Sequence, residues 1–411
     1  MKSINYMDNK VSSLQVISLV LALLLCVMTL QGAYDFETRN LFVFGLWLIT
    51  TVFAFPKELS TVLMQRRYIF LLMFLFFKFL CLHFNNPFSV SVNILVAYMC
   101  VLSPVLMYEI VFKRNRFVRG LFLFVSLAVL IINVVLSYQY LELTSAISMR
   151  GASELGEEFH IVEVAFHICY ALTLLSPAIT DIVTKRFLND CRYKWVNYAM
   201  ICVAGVFMLF ILRAQFMTAL IIAIAGILFA VFYRRKKYVR FILLTTSAII
   251  IGLYILPIVV NTIETSSDYD FISVRLREIS DITEGKASNA SDFNERQDRS
   301  MMSFNTFLNN PIFGVGYKLN PKRHVQEQGI GNHAVWPDSL AEYGLFAFLL
   351  FYFLYDSLRR QSKNMNSLLT LLLLLALGFL NPFLYFPQMV TVFFIIPLLY
   401  QFFLFDKQNY R

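Results

Sequence analysis

Charge is what this sequence has least of. Only 15% of its 411 residues are Asp, Glu, Lys or Arg, against roughly 25% in a soluble protein. Burial does not explain the shortfall, because even a large soluble domain still exposes about a quarter of the surface its unfolded chain would show. Cysteine is equally uninformative as a staple. Five of the six (Cys26, Cys81, Cys100, Cys169 and Cys202) fall in apolar runs and Cys191 in a basic stretch, with no zinc-site spacing and no disulfide framework. These absences exclude a soluble enzyme, a disulfide-stapled secreted domain and a disordered tail. What the chain does have is 58% hydrophobic residues, with 42 Phe and 21 Tyr. Its solvent is therefore lipid. The net charge of +9 then concerns membrane topology, and nucleic acid is not an expected partner.

A bilayer core of about 30 Å needs about 20 mostly apolar residues per helix. That window predicts an all-α polytopic membrane protein with about 12 spans, near 13–31, 40–56, 68–84, 89–112, 121–140, 161–183, 195–212, 215–233, 241–260, 337–356, 367–384 and 388–405. The first segment follows Lys2 and Lys10 but no small-residue cleavage site, so it reads as a retained helix rather than a signal peptide. Loop charge sets the orientation. Lys113, Arg114, Arg116 and Arg119 share one loop and Arg234, Arg235, Lys236 and Lys237 another on the same side, whereas the short opposite loops carry little beyond Arg39, Arg150 and Arg213. Both termini are accordingly expected in the cytoplasm. The expected division is 1–260 as nine spans, 261–336 as one long extracytoplasmic loop, and 337–411 as three more spans.

The long loop is too patterned to be a tether. Ile272, Leu276 and Ile279 line one face of a helical stretch while Arg275, Arg277 and Glu278 line the other. In a second stretch Met301, Phe304 and Leu308 recur at helical spacing, with Asp292 or Asn294 as candidate caps and Asn310-Pro311 as the stop. A loop of this length with its own amphipathic helices is where chemistry or recognition is expected.

From Arg296 to Gly344 the chain reads RQDRSMMSFNTFLNNPIFGVGYKLNPKRHVQEQGIGNHAVWPDSLAEYG. An Arg, a short amphipathic helix, Asn-Pro-Ile-Phe-Gly-Val-Gly, then Gly-Asn-His and an acid-bearing helix: this resembles the O-antigen polymerase and O-antigen ligase superfamily of bacterial membrane glycosyltransferases. The run GNHAVWPDSLAEYG is more similar to the Wzy-type polymerases than to the ligases. The resemblance implies a GT-C-like helical fold in the bacterial inner membrane, with the active site facing the periplasm. It also implies transfer of a glycan from an undecaprenyl-diphosphate carrier, with no cofactor or metal, and a chain-length regulator protein as a further partner. Arg296 matches the family's loop Arg, His333 its His before the returning helix, and Arg213 its Arg at an outer helix end. Where the family often has an aromatic after the loop Arg, this chain has Arg299 and Ser300, which makes Arg299 the alternative.

The chemistry of these residue types fits. A diphosphate leaving group gains negative charge as the glycosidic bond breaks, and a planar guanidinium binds phosphate oxygens bidentately. A lone Arg213 would equally snorkel to headgroups, and Arg296 in a first helical turn would welcome an anion. His333, with an unperturbed pKa of about 6.5, suits proton transfer from an acceptor hydroxyl, and Pro337 suits a first helical position. Asp338 and Glu342, spaced i, i+4, share a helix face. They would orient His333 or bind sugar hydroxyls, or else serve as an interfacial capping acid and a buried partner for an Arg. Lys318, Lys322, Arg323 and His324 form a basic cluster that fits an anionic glycan or headgroup as well as a solvated surface. Gly314 and Gly316 lack the flanking fingerprint of a phosphate loop and read as a tight turn.

Rival readings rest on other residues. Asp35 with Glu37 and Asp268 with Asp270 are acidic pairs of the kind that hold a divalent ion. Lys78, Glu109 and Asp181 lie in or near apolar runs, where ionisable groups suggest a transport pathway. Glu109 and Asp181, at helix ends beside basic loops, read more simply as structural pairs. A transporter or flippase should show repeat symmetry between halves, which this chain lacks. A non-enzymatic scaffold would tolerate single Arg or His changes.

Overall fold

The computed structural model describes residues 12–30, 38–112, 115–143, 161–188, 194–214, 216–234, 291–316, 329–361, 366–381 and 386–405, with isolated positions at 239, 243 and 247. Among them every regular element is helical: α1 (Ser13–Leu30), α2 (Thr38–Ala54), α3 (Pro56–Leu63), α4 (Arg66–Asn85), α5 (Phe88–Met107), α6 (Arg116–Leu143), α7 (Ile161–Leu188), α8 (Lys194–Ala214) and α9 (Met217–Arg234). After these come α10 (Ser291–Asn309), α11 (Val335–Tyr343), α12 (Ala347–Gln361), α13 (Asn366–Leu380), α14 (Phe386–Val390) and α15 (Ile396–Tyr400). Wider π-turns follow α5 at Tyr108–Phe112, join α14 to α15 at Thr391–Ile395, and continue α15 at Gln401–Phe405. An all-helical answer is what lipid imposes, since a helix satisfies its backbone internally.

Among the described residues, seven helical stretches are long and apolar enough to cross a bilayer, or eight if a bent pair counts as one span. Eleven of the twelve expected segments carry helix at their predicted places; the ninth, 241–260, lies outside the described residues except for Leu243 and Ser247, and the amphipathic stretch around Ile272 to Ile279 lies wholly outside them. Two segments differ in form. The second does not end at 56 but turns through 106° into α3. Phe55 leaves helical geometry there and Pro56 opens the new helix, the position that suits a residue without an N–H. The tenth is broken into α11 and α12 by the turn Gly344–Phe346.

The centre of the bundle is α7, buried from Ile168 to Val183 except at the half-buried Thr180 and packed by α6, α8, α9, α13 and the α14–α15 segment. Gly226 of α9 lets the backbones close on Pro177, because a Cβ there would lie 2.7 Å from the proline Cγ. Polar side chains in this core are matched helix to helix. Tyr400 donates to Asp181 at 2.5 Å, Arg186 to Asn197 at 2.6 Å, and Gln388 to the backbone carbonyl of His167 at 3.1 Å. Arg67 of α4 meets Glu109 at 3.0 Å, with only 2% and 5% of the side chains exposed. Glu109 and Asp181 therefore have structural partners, as expected of helix-end acids: Arg67 for Glu109 and Tyr400 among those of Asp181.

On one flank α4 runs antiparallel to α12. Tyr68 meets Phe353, Phe70 meets Tyr352, and Phe77 stacks on Phe346. This register carries Lys78 to the level of the α11–α12 break.

Candidate functional site

The site is assembled from α10, the turn 329–334, α11 and the end of α4. Helix α10 starts at Ser291, earlier than the sequence suggested, so Asp292 and Asn294 lie within its first turn rather than capping it. Arg296 consequently sits in the second turn, where the dipole argument for an anion weakens. The stripe Met301, Phe304 and Leu308 is exposed, as expected of a helix that turns its apolar side to lipid. The face that packs on the protein is polar, and α10 lies against α11.

Two hydroxyls make that junction. Ser303, fully buried, donates to Asp338 Oδ1 at 2.5 Å and accepts from the backbone N–H of Gly331 at 2.8 Å. Thr306, nearly one turn on, donates to the Gly329 carbonyl at 2.5 Å. Gly331 lies so close to α10 that a Cβ would fall 2.1 Å from the carbonyl oxygen of Arg299. Asn332 follows with a left-handed φ of 51°, a conformation Asn tolerates better than most residues. The next residue is His333.

Helix α11 begins at Val335, with Ala334 as its cap residue, so Pro337 is the third helical residue and not the first. Asp338 reaches back over this start. Its Oδ2 accepts from the Ala334 N–H at 2.9 Å, and the backbone N–H groups of His333 and Asn332 also turn toward the carboxylate. Asp338 thus does what one of its two readings proposed: it caps the helix and fixes the turn that carries His333. At the other side of the same start, Val335 N–H approaches the Asn381 carbonyl at 3.4 Å.

The glycine-rich segment closes the far end of α11. The N–H of Val315 donates to the Ala341 carbonyl at 3.0 Å and that of Gly316 to the Glu342 carbonyl at 2.9 Å, while Leu345 N–H returns to the Pro311 carbonyl at 2.8 Å. Gly314 and Gly316 have φ of 67° and 71°, and at Gly314 a Cβ would lie 2.4 Å from the Glu342 oxygen. The Val315 and Gly316 N–H groups are spent on the end of α11 and that of Gly314 on the Asn310 carbonyl, so Gly-Val-Gly is a tight turn and a cap. It also breaks the tenth segment: Gly344 takes a φ of 56° where Ile312 and Pro311 press against it.

Beneath this cap lies Lys78. Its ammonium donates to the Tyr343 hydroxyl, lies 4.8 Å from the centroid of that ring, and acts electrostatically on Glu342. Phe74 packs edge-on against Tyr343 at 5.1 Å. The Glu342 side chain also bonds Tyr343, while its Oε1 is enclosed with no hydrogen-bond partner among the described residues. Glu342 therefore faces a lysine, not an arginine.

Arg296 is half-buried, seven residues before Ser303 and so on the same face, about 10 Å along the axis. Arg299 points its side chain outward, 46% exposed, to a salt bridge with Glu295 on the preceding turn. The structure thus joins the helix that carries Arg296 to the turn that carries His333 and to Asp338, and leaves the Arg299 guanidinium exposed. Arg213 is exposed in the last turn of α8, where a cation favours the helix dipole, and lies near Tyr138 of α6. Its helix packs chiefly on α7. Lys322 and Arg323, with Lys318 and His324, lie outside the described residues, as do Asp35, Glu37, Asp268 and Asp270. Sequence reasoning missed Ser303, Thr306 and Tyr343. The first two were signalled by their spacing from Arg296, seven and ten residues, which keeps all three on one helical face.

Residues 198–352 match the family model Wzy_C, described as O-antigen ligase. The matched stretch spans Arg213, Arg296, His333 and Glu342, and it accords with the O-antigen polymerase and ligase superfamily that the motif resembles. No curated protein and no solved structure matches the chain.

Proposed function

We propose that this membrane protein is a polysaccharide polymerase of the bacterial inner membrane. It would transfer a glycan chain from undecaprenyl diphosphate onto the non-reducing end of an incoming undecaprenyl-diphosphate-linked repeat unit, in the periplasmic leaflet, with inversion and without a metal. The observation that carries the reading is the hydrogen-bonded junction of the Arg296 helix with the His333 turn, inside the stretch that matches the family model. On this reading Arg296 and Arg213 neutralise the departing diphosphate, and His333 accepts the proton of the attacking hydroxyl as the C–O bond to the carrier breaks. Asp338 holds the His333 turn. Glu342 and the Lys322–Arg323 cluster contact the sugars, and a chain-length regulator is the expected protein partner. The second reading, transfer to lipid A-core, is favoured by the matching family's own description as a ligase.

The test is the ladder of surface-glycan lengths from cells carrying each variant at equal membrane abundance. Loss of a charge-assisted contact to the leaving group should cost about 2 to 4 kcal/mol, or about 30-fold to 1000-fold in rate. Arg296→Lys keeps charge but loses the fork and should give a shortened ladder, while His333→Ala should give single units only. Single units already capping the lipid core in His333→Ala cells, with only the ladder lost, favour polymerase over ligase. Normal ladders from Arg213→Ala, Arg296→Lys and His333→Ala together would return the chain to the transporter or scaffold class. Extension by the purified protein should survive EDTA; loss rescued by magnesium would bring the acidic pairs forward.

A further inference from the structure

Ser303 joins the two halves of the candidate site. It sits on α10, on the face that also bears Arg296 seven residues earlier, and its hydroxyl group makes two contacts beyond its own helix. It donates to Asp338 Oδ1 at 2.5 Å and accepts from the N–H of Gly331 at 2.8 Å. Asp338 in turn collects the N–H groups of Asn332, His333 and Ala334. The backbone that presents His333 is therefore fixed from two directions by a single hydroxyl: directly at Gly331, and through the carboxylate at His333 itself. Gly331 has no side chain to hold it back, and its contact with the Arg299 carbonyl leaves no slack between turn and helix.

We propose that Ser303 is a positioning residue that sets the reach of His333 relative to Arg296, so that acceptor hydroxyl and donor diphosphate are engaged in one geometry. The inference rests on the reading of His333 as the group that meets the acceptor. A hydroxyl is suited to the task because it donates and accepts at once; without it Asp338 Oδ1 loses a donor and the buried Gly331 N–H loses its acceptor. Ser303 touches no substrate in this arrangement. Its loss misplaces His333 without removing it, and misplacement of a reacting group by about 1 Å costs about 100-fold.

Thr306 supplies the internal control. It lies on the same face, nearly one turn on, and makes an equally short bond to the same turn at Gly329, but it does not reach Asp338 or the residues beside His333. The experiment measures initial rates of chain extension in proteoliposomes supplied with lipid-linked repeat units extracted from the native host, together with the thermal midpoint of each purified variant. Ser303→Ala should lower kcat about 10-fold to 100-fold with KM within about 2-fold, Ser303→Cys should fall between wild type and Ala, and Thr306→Ala should stay within about 3-fold of wild type. The double variant Ser303→Ala/His333→Ala should be no slower than His333→Ala alone, since a positioning residue has nothing left to position. Equal losses in Ser303→Ala and Thr306→Ala, tracking their thermal midpoints, would reduce Ser303 to ordinary packing and overturn the inference. Wild-type kcat in Ser303→Ala beside a dead His333→Ala would overturn it too and leave the functional reading standing. Normal extension by His333→Ala would overturn both.

Discussion

The core around α7 and the junction of α10 with α11 treat their polar groups in opposite ways. In the core, side chain mostly meets side chain across helices: Asp181 with Tyr400, Arg186 with Asn197, Arg67 with Glu109. Each pair neutralises a group that lipid and apolar packing cannot tolerate alone. At the junction, apart from the Ser303–Asp338 bond, side chains meet backbone instead. Ser303 serves the Gly331 N–H, Thr306 the Gly329 carbonyl, Asp338 the N–H groups before α11, and the Gly-Val-Gly turn caps the carbonyls after it. Backbone can be left outside a helix in a membrane protein only where such partners are supplied. The core spends polar residues on stability; the junction spends them on holding irregular backbone, and irregular backbone is what carries His333.

The sharpest way to break this contrast is to remove one member of a core pair. Glu109→Ala leaves Arg67 charged and buried, which typically costs about 3 to 5 kcal/mol. We expect the thermal midpoint of the detergent-solubilised protein to fall, with activity at low temperature falling only in proportion to folded protein. The double change Arg67→Met/Glu109→Leu should recover most of the midpoint. A silent Glu109→Ala would mean that the pair is hydrated, and the core would then not differ from the junction in the way described.

The converse change strikes the junction. Gly331→Ala places a methyl where the Arg299 carbonyl lies 2.1 Å away, so the turn must withdraw from α10. Extension should drop about 100-fold, equivalent to about 2.7 kcal/mol of transition-state stabilisation, while the thermal midpoint moves far less than in Glu109→Ala. Comparable losses of midpoint in both variants would show that the junction is part of the stability core.

The two regions were also unequally legible in the sequence. Core helices announce themselves by hydropathy, and the need for a partner at Glu109 and at Asp181 follows from the cost of burying charge. The break at Gly344 did not, because an apolar window averages over a single glycine and its cause is the distant contact with Pro311 and Ile312. The bend after Ala54 was missed for the same reason, although Pro56 marked it. At the site, the motif supplied Arg296 and His333, and the i, i+4 spacing supplied Asp338 and Glu342. What one-dimensional reading could not supply was their partners. Ser303 and Lys78 are separated from Asp338 and Tyr343 by 35 and 265 positions, and no local periodicity encodes such pairings. Lys78 was conspicuous only as a charge out of place.

Lys78 tests the comparison at its mildest point, because its cluster borrows from both regions: a buried charge like the core's, placed at the break like the junction's. Tyr343→Phe removes the hydroxyl that accepts from Lys78 but keeps the ring, its edge-on contact with Phe74 and its face near the ammonium. The lost hydrogen bond involves a charged group and is worth about 1.5 to 3 kcal/mol in itself. Glu342 acts on the same ammonium, and the ring still offers a cation–π contact of about 0.5 to 2 kcal/mol, so the net loss should be about 1 kcal/mol. We expect a small fall in thermal midpoint and no more than about a 5-fold fall in extension rate. Lys78→Met should be worse than Tyr343→Phe, since it leaves the Glu342 carboxylate enclosed without its cation, and adding Glu342→Gln to Lys78→Met should recover stability. Recovery of stability with no recovery of extension would place Glu342 with the junction as a group that sugar hydroxyls use, whereas recovery of both would assign the whole cluster to the core.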